Sequence, residues 1–391
     1  APEQSGQTSR DRAGLVAQAK NPSGRYFRGG VVMKRFGGLY EKIISFENLY
    51  LASRAARLGK RHKQSCAAFE MNIEEGLASL RDELLQKTYR PGAYREFTIY
   101  ERKPRRISAA PYRDRVVHHA LCRVIEPIFE RSFIHDSYAC RPGKGTHSAV
   151  ARFTEFARRY RYVFKTDIRK YFPSIDHDIL FERISRKIKC LDTLWLIRLI
   201  IDTSNPQEEI LQYYPGDDLF APLERRRGIP IGNLTSQFFA NIYLDGLDHY
   251  TKEDLQCRSY IRYVDDITAF GDDKQKLWKI GKAMGEYLST LRLTMHPDKT
   301  IVVPVSQGVD YLGYRVFPDR RRLRKDNVVR FRRRMQKMQN DYRTGQITLK
   351  DVNSSIQSWI GHAKHADTYK LREKIFAGII FTNSARESGR S

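Results

Sequence analysis

The sequence predicts an α+β fold, and three observations carry that expectation. Apolar residues recur at three- and four-residue spacing over several long stretches, as in amphipathic helices. Between them stand short runs rich in Ile, Tyr, Val and Phe, as in buried strands. One such run, Ile261 to Phe270, reads I-R-Y-V-D-D-I-T-A-F, two apolar halves about a paired carboxylate that a tight hairpin would lift to its tip. Asp265 and Asp266 so placed repel each other unless a cation lies between them. Hard divalent ions favour a few carboxylate oxygens plus substrate phosphates, so the pair suits a metal-bound triphosphate. A solvated turn is the plain alternative, because Asp favours turns for its own local hydrogen bonds.

At 391 residues the chain is long for one core, and two or three subdomains are expected. Its formal net charge of +25 exceeds what solubility requires and points to a polyanion, nucleic acid before an anionic membrane surface. No apolar run approaches the length of a membrane span, so no membrane partner is expected. The five cysteines, Cys66, Cys122, Cys140, Cys190 and Cys257, are scattered without C-x-x-C spacing, as in a cytoplasmic protein with reduced thiols. The first 32 residues, rich in Gly, Ser, Gln and Arg, read as a disordered extension, and residues 1–35 are set apart as such. Met33, directly before K-R-F-G-G-L-Y, is a candidate start of the native chain.

Taken in order, Leu39 to Arg61 carries one helical pattern (Ile43, Phe46, Leu49, Tyr50), and Asn72 to Gln86 another, with Leu77, Leu80 and Leu84 on one face. Tyr94 to Ile99 reads as a strand, and E-R-K-P-R-R after it as a basic turn whose Lys103, Arg105 and Arg106 suit phosphates. Arg115 to Phe129 is a periodic helix; its His118 and His119, being neighbours, do not share a face and make no metal site. The loop D-S-Y-A-C-R-P-G-K-G-T-H then opens a helix near Thr146. Its backbone amides, with Arg141 and Lys144, suit a nucleic-acid backbone, though it is not a P-loop.

Tyr162 to Ile168 is an apolar strand ending in Asp167, and a long helical region follows from Ile179 to Asp202. Ser204 to Arg227 reads as an irregular insertion. G-I-P-I-G-N-L-T-S-Q from Gly228 exposes backbone before a helix, a surface on which a flat base pair could rest. Leu277 to Leu291 is a helix, Lys299 sits in a turn, and Val309 to Phe317 is a hairpin. In Val328 to Tyr342 the residues Val328, Phe331, Met335, Met338 and Tyr342 form one apolar stripe. Arg330, Arg332, Arg333, Arg334 and Lys337 lie largely off it, a basic face for nucleic acid. A last helix begins at Thr348, whose spacing to Asp351 fits a capping box, and H-x-x-H at His362 and His365 is read as packing.

Asp167, Asp265 and Asp266, on two adjacent strands, could hold two metals about 3.5–4 Å apart, the arrangement that activates a 3′-hydroxyl and stabilises a pyrophosphate leaving group. At this point the sequence resembles a reverse transcriptase from about Tyr40 to Phe376. Y-V-D-D at Tyr263 to Asp266 resembles the metal-binding hairpin, and D-I-R-K-Y-F from Asp167 to Phe172 the first carboxylate motif. Within that family the closer resemblance is to the enzymes of diversity-generating retroelements, within the group II intron-like bacterial superfamily. It is carried by Gly228–Gln237, by S-Y-A-C-R-P-G-K-G-T-H and by S-W-I-G-H-A-K-H-A-D-T. Ile231-Gly232 and Ser236-Gln237 stand where most other bacterial members have Gln-Gly and Ser-Pro.

The resemblance implies a right-hand polymerase with N-terminal helices and fingers over 36–165, a palm over 166–305 interrupted near 204–227, and a primer grip and basic thumb over 306–391. It implies RNA-directed DNA synthesis with two Mg2+ ions, Mn2+ being a possible substitute, held by Asp167, Ile168, Asp265 and Asp266. Phe172 is then the gate against ribose 2′-hydroxyls, and Lys103 and Arg105 clamp the triphosphate. Ile231, Gly232 and Gln237 lie against the nucleotide, Lys299 near the leaving pyrophosphate, and Leu312, Gly313 and Tyr314 in the primer grip.

The partners implied are template RNA, primer, cDNA and dNTPs, with a small basic ring-forming accessory protein, in a bacterial or phage-encoded setting. Where the usual Gln can hydrogen-bond near the incoming nucleotide, Ile231 offers only packing. Losing one such contact costs on the order of 1–3 kcal/mol of discrimination, so error-prone copying is expected. In the resembled subfamily errors fall at template adenines while a template-repeat RNA is copied to diversify a gene. No segment for an endonuclease or RNase H is expected. A retron-like or phage-defence enzyme, and a non-catalytic nucleic-acid-binding scaffold, are the alternatives.

Overall fold

Strands that are apolar on both faces need cover on both sides, and Tyr162–Asp167 and its neighbours are of that kind. In the computed structural model, which describes residues 34–100, 104–205 and 210–382, they form a four-stranded sheet between two cores. The chain enters through helices α1 (Tyr40–Ile44), α2 (Phe46–Ala56), α3 (Gln64–Met71) and α4 (Ile73–Leu85). The single helix expected over 39–61 is broken at Ser45, which turns extended and caps α2 by accepting from Asn48 N. A hairpin of β1 (Arg95–Tyr100) and β2 (Pro104–Ala109) follows. The basic turn is thus narrower than expected, because Arg105 and Arg106 lie in β2. Lys103 lies outside the described residues, as does nearly all of the N-terminal extension.

Next come α5 (Tyr112–Glu130), α6 (Thr146–Arg159), β3 (Tyr162–Asp167) and the one-turn α7 (Tyr171–Ser174). The helical region expected over 179–202 divides into α8 (His177–Ser185) and α9 (Leu191–Asp202), since Ile188 between them bridges to Phe36. Among its described residues the insertion holds one short helix, α10 (Ala221–Glu224). Helix α11 (Leu234–His249) then leads to β4 (Tyr260–Tyr263), β5 (Asp266–Gly271), α12 (Lys274–Thr290) and β6 (Ile301–Pro304). The chain closes with β7 (Val309–Tyr311), β8 (Tyr314–Val316) and β9 (Arg321–Leu323), and with α13 (Lys325–Arg343), α14 (Leu349–Ala363) and α15 (Tyr369–Phe376). The Thr348–Asp351 capping box is present in full.

The sheet order is β4-β5-β3-β6, every pair antiparallel. Alternation along the strands decides which core each side chain joins. Phe164, Tyr260, Ile267 and Ala269 enter the core shared with α5, α8, α11 and α12. Val163, Ile261 and Phe270 point the other way, into a core with α6, β7–β9 and the C-terminal helices. On α13 the buried positions are Phe331, Met335, Met338 and Tyr342, and Phe331 stacks on Trp359 of α14 at 3.9 Å. That leaves Arg333, Arg334 and Lys337 exposed, while Arg330, also exposed, lies 3.7 Å from Asp326. No helix among the described residues is long and apolar enough to cross a membrane.

Candidate active site

Register places the carboxylates. Asp167 is the Cα partner of Asp266, so the last residue of β3 faces the first of β5, and both side chains share the face of Val163 and Lys165. Tyr263 pairs with Asp266 across a two-residue turn, Val264–Asp265. Only Asp265 therefore stands in the turn, where the sequence had suggested both carboxylates at the tip. Its carbonyl accepts from Ile168 N at 3.2 Å, which locks the turn to the end of β3. Val264 holds φ +55, a left-handed conformation that a β-branched side chain rarely takes.

Electrostatics mark the group as unusual. Burial, then the charges of Asp167 and Asp266, push Asp265 up to about 7. Burial also raises Asp266, with Lys165 opposing. Lys299 Nζ donates to Asp167 Oδ2 at 2.8 Å, and Lys165 Nζ lies 4.0 Å from Asp266 Oδ1 while donating to the Asp310 carbonyl. Among the described residues no three His, Cys, Asp or Glu side chains already stand as a metal-binding group; here Asp167 is engaged by Lys299, and Lys165 stands near Asp266. The donor set still fits a divalent cation, because three crowded, partly buried carboxylates carry a charge excess that two lysines only partly offset. Ile168, whose side chain is buried, can contribute only its backbone carbonyl.

Beneath the turn lies a network the sequence reading did not single out. Arg262 is fully buried and donates from Nε and Nη2 to Asp248, both at 2.7 Å, and from Nη1 to Asn241 Oδ1 and the Val264 carbonyl. Tyr260 OH also donates to Asp248. The signal was available: an arginine inside the apolar run Y-I-R-Y needs a buried carboxylate.

The residues expected to meet the nucleotide lie on β2 and in the turn before α11. Gly232 has φ +116, and a Cβ there would come within 2.9 Å of Ile107 Cγ2. Asn233, also missed, ties the turn to β2 by accepting from Ala110 N and donating to the Ser108 carbonyl; Ser108 N donates to the Ile231 carbonyl. Arg105, two residues from Ile107 in the strand, is exposed and on that same face. Phe172 is half-buried beside Tyr171, its carbonyl accepting from Ile229 N, and Gln237 is exposed on α11.

Two expected nucleic-acid contacts sit differently. Arg141 is turned inward; its guanidinium is spent on Glu130 and on the carbonyls of Ile134 and Ser137, so it fixes the loop. Lys144 donates to the His135 carbonyl at 3.0 Å and lies over the Tyr138 ring. The same loop reaches the carboxylate hairpin through Thr146 Oγ1 and Tyr263 OH, 3.0 Å apart. In the β7–β8 turn, Leu312 is half-buried, Gly313 has φ +93, and buried Tyr314 sends its hydroxyl to the His362 carbonyl at 2.8 Å and to His362 Nδ1 at 2.9 Å. His365 stacks on His147 at 3.5 Å, which accords with packing for H-x-x-H.

The family model described as reverse transcriptase (RNA-dependent DNA polymerase) matches residues 95–316, more than half of the chain. The chain belongs to the reverse transcriptase family. It is thereby an RNA-directed DNA polymerase by class, and its central antiparallel sheet bearing carboxylates, flanked by helices, is that of a right-hand polymerase. Among curated relatives, protein YkfC of Escherichia coli K12 is 26% identical over 312 residues, covering 70% of this reverse transcriptase and 77% of YkfC. The group II intron-encoded protein LtrA of Lactococcus lactis subsp. cremoris is 22% identical over 381 residues, covering 80% of this chain and 58% of LtrA. Among solved structures, apo telomerase from Candida tropicalis aligns with a TM-score of 0.45 at 12% identity, over 62% of this chain and 59% of that one.

Proposed function

We propose that this reverse transcriptase copies RNA into DNA at Asp167, Asp265 and Asp266, and that it does so with low fidelity. The observation that carries the site is the register of Asp167 opposite Asp266, with Asp265 in the adjoining turn. Two divalent ions, Mg2+ with Mn2+ as substitute, would be held by these carboxylates with the Ile168 carbonyl, and would activate the primer 3′-hydroxyl and neutralise the leaving pyrophosphate. Lys299, whose side chain is 45% exposed, bonds Asp167 now and is long enough to turn to an arriving phosphate. Arg105 supplies a second cation from β2, with Lys103 beside it in sequence. Phe172 borders the nucleotide as the gate against a 2′-hydroxyl, and Ile231, Gly232 and Gln237 bound the pair being formed.

The low-fidelity reading rests on Ile231. Its side chain has no hydrogen-bonding atom, so a mispaired base there forfeits packing only. With the G-I-P-I-G-N-L-T-S-Q and S-W-I-G-H-A-K-H-A-D-T runs, this supports membership of the diversity-generating retroelement enzymes, with a template-repeat RNA, adenine-directed errors and a basic accessory protein in the cytoplasm. On this reading residues 36–165 act as fingers, 166–305 as palm and 306–391 as primer grip and thumb. Leu312, Gly313 and Tyr314 hold the primer, and Arg330, Arg333, Arg334 and Lys337 meet the duplex backbone.

The test is to sequence cDNA made on a primed RNA containing all four bases, by the wild type and by Ile231→Gln. Errors concentrated opposite adenine and reduced by Ile231→Gln are expected. Accurate copying by the wild type would leave a polymerase of the retron-like or defence kind.

A further inference from the structure

A strongly basic region lies away from the carboxylates. Arg158, Arg320, Arg321 and Lys364 line a cavity of about 220 Å³ together with Thr154, His365, Asp319 and Asp367. Four cations thus face two carboxylates. Asp319 is taken up by Arg320 at 2.5 Å, and Asp367 accepts from Arg321 N at 3.1 Å. The Arg321 guanidinium donates from Nε to Thr154 Oγ1 at 2.8 Å. Burial, then the charge of Arg158, weakens its hold on its proton, with Asp367 opposing. Arg321 is half-buried while Arg158, Arg320 and Lys364 are exposed, and four cations beside two carboxylates leave a positive excess that suits an anion.

An aromatic platform adjoins the cavity. Phe317, half-buried in the turn before β9, has the guanidinium carbons of Arg320, Arg322 and Arg315 at 4.6, 5.7 and 6.0 Å from its ring centre. Arg320 belongs to both features. A phosphate-sized basic cavity beside an Arg-flanked ring is the equipment with which proteins take single-stranded nucleic acid, phosphate in one and base on the other. The place is set apart from the carboxylates. Helix α6 ends just before β3 begins, so Arg158 lies at the start of that strand and Asp167 at its end. Six residues of strand put them about 15–20 Å apart.

We propose that the cavity and the Phe317 turn form a second RNA site, which grips the backbone of an RNA segment outside the template–primer cleft. The proposal rests on the reading of the chain as an RNA-copying enzyme, but RNA binding can be measured whether or not synthesis occurs. It implies that a structured RNA is held at two points, one moving through the cleft and one fixed.

The experiment compares Arg320→Glu/Lys364→Glu with Lys282→Glu/Lys350→Glu, which makes the same change of net charge at exposed lysines on α12 and at the opposite end of α14. Equal melting temperatures confirm that both variants fold. Affinity for a long structured RNA is measured as a function of salt, and primer extension on a short primed oligonucleotide beside it. The cavity variant is expected to bind the long RNA about tenfold more weakly than the control variant, with a salt slope smaller by about 1, and to extend the short primer as the control does. Equal affinity of the two variants would overturn the proposal, and so would an equal loss on the short duplex, which would assign the patch to the cleft. Loss of tripolyphosphate binding by the cavity variant without any change in RNA affinity would make it a small-anion site and would also overturn the proposal. Absence of synthesis by the wild type on either template, with the affinity difference intact, would remove the polymerase reading and leave the RNA site.

Discussion

Two hairpin turns of the protein are held in opposite ways. Val264–Asp265 joins β4 to β5 between Tyr263 and Asp266; Leu312–Gly313 joins β7 to β8 between Tyr311 and Tyr314. Both need left-handed backbone, at Val264 (φ +55) in the first and at Leu312 (φ +43) and Gly313 (φ +93) in the second. The first has no glycine and is propped from below by Arg262, whose charge is balanced by Asp248 in the core. The second relies on glycine and is tied through Tyr314 to His362 on α14. The turn proposed to carry chemistry is thus fixed to its own sheet, while the turn proposed to hold the primer is coupled to the C-terminal helices.

The sharpest way to break the contrast is to remove the prop. Asp248→Leu leaves Arg262 buried and unpaired, and a loss of about 3–5 kcal/mol is expected in denaturant unfolding. A loss below 1 kcal/mol would mean that water reaches Arg262 and that the turn is not held from the core. Gly313→Ala strains a position at φ +93 and is expected to cost about 1–3 kcal/mol while leaving RNA affinity unchanged. Tyr314→Phe removes the link to His362 for about 1 kcal/mol, and its expected signature is weaker use of the primer with unchanged unfolding of the sheet core. Smallest in stability is the pair Asp248→Leu/Arg262→Met, expected near neutral because no buried charge remains. If the prop positions Asp265, this pair nonetheless slows cDNA synthesis severalfold; unchanged synthesis would reduce the network to a packing device.

Much of this was legible because periodicity and local signals agree. The carboxylate hairpin, the stripe of α13 and the Thr348 capping box are each set by residues within a few positions of one another. What was not legible depended on partners far along the chain. Arg141 looks like a phosphate contact until Glu130 is found beside it, and Asn233 gains meaning only when β2 lies across it. The breaks at Ser45 and Ile188 interrupt apolar patterns that continue on either side, so periodicity alone ran through them. Arg262 was visible as a charge in an apolar strand, but its partner Asp248 is fourteen residues away on another element. The candidate site was therefore legible in its carboxylates and far less so in the residues that hold them.

The most direct test of the central claim is primer extension on RNA with Mg2+ by the wild type and by Asp265→Ala, with RNA affinity measured on the same preparations. The account predicts that Asp265→Ala abolishes synthesis and binds RNA nearly as the wild type does. Synthesis that survives the substitution, or RNA binding lost in step with it, would contradict the assignment of Asp265 to the chemistry.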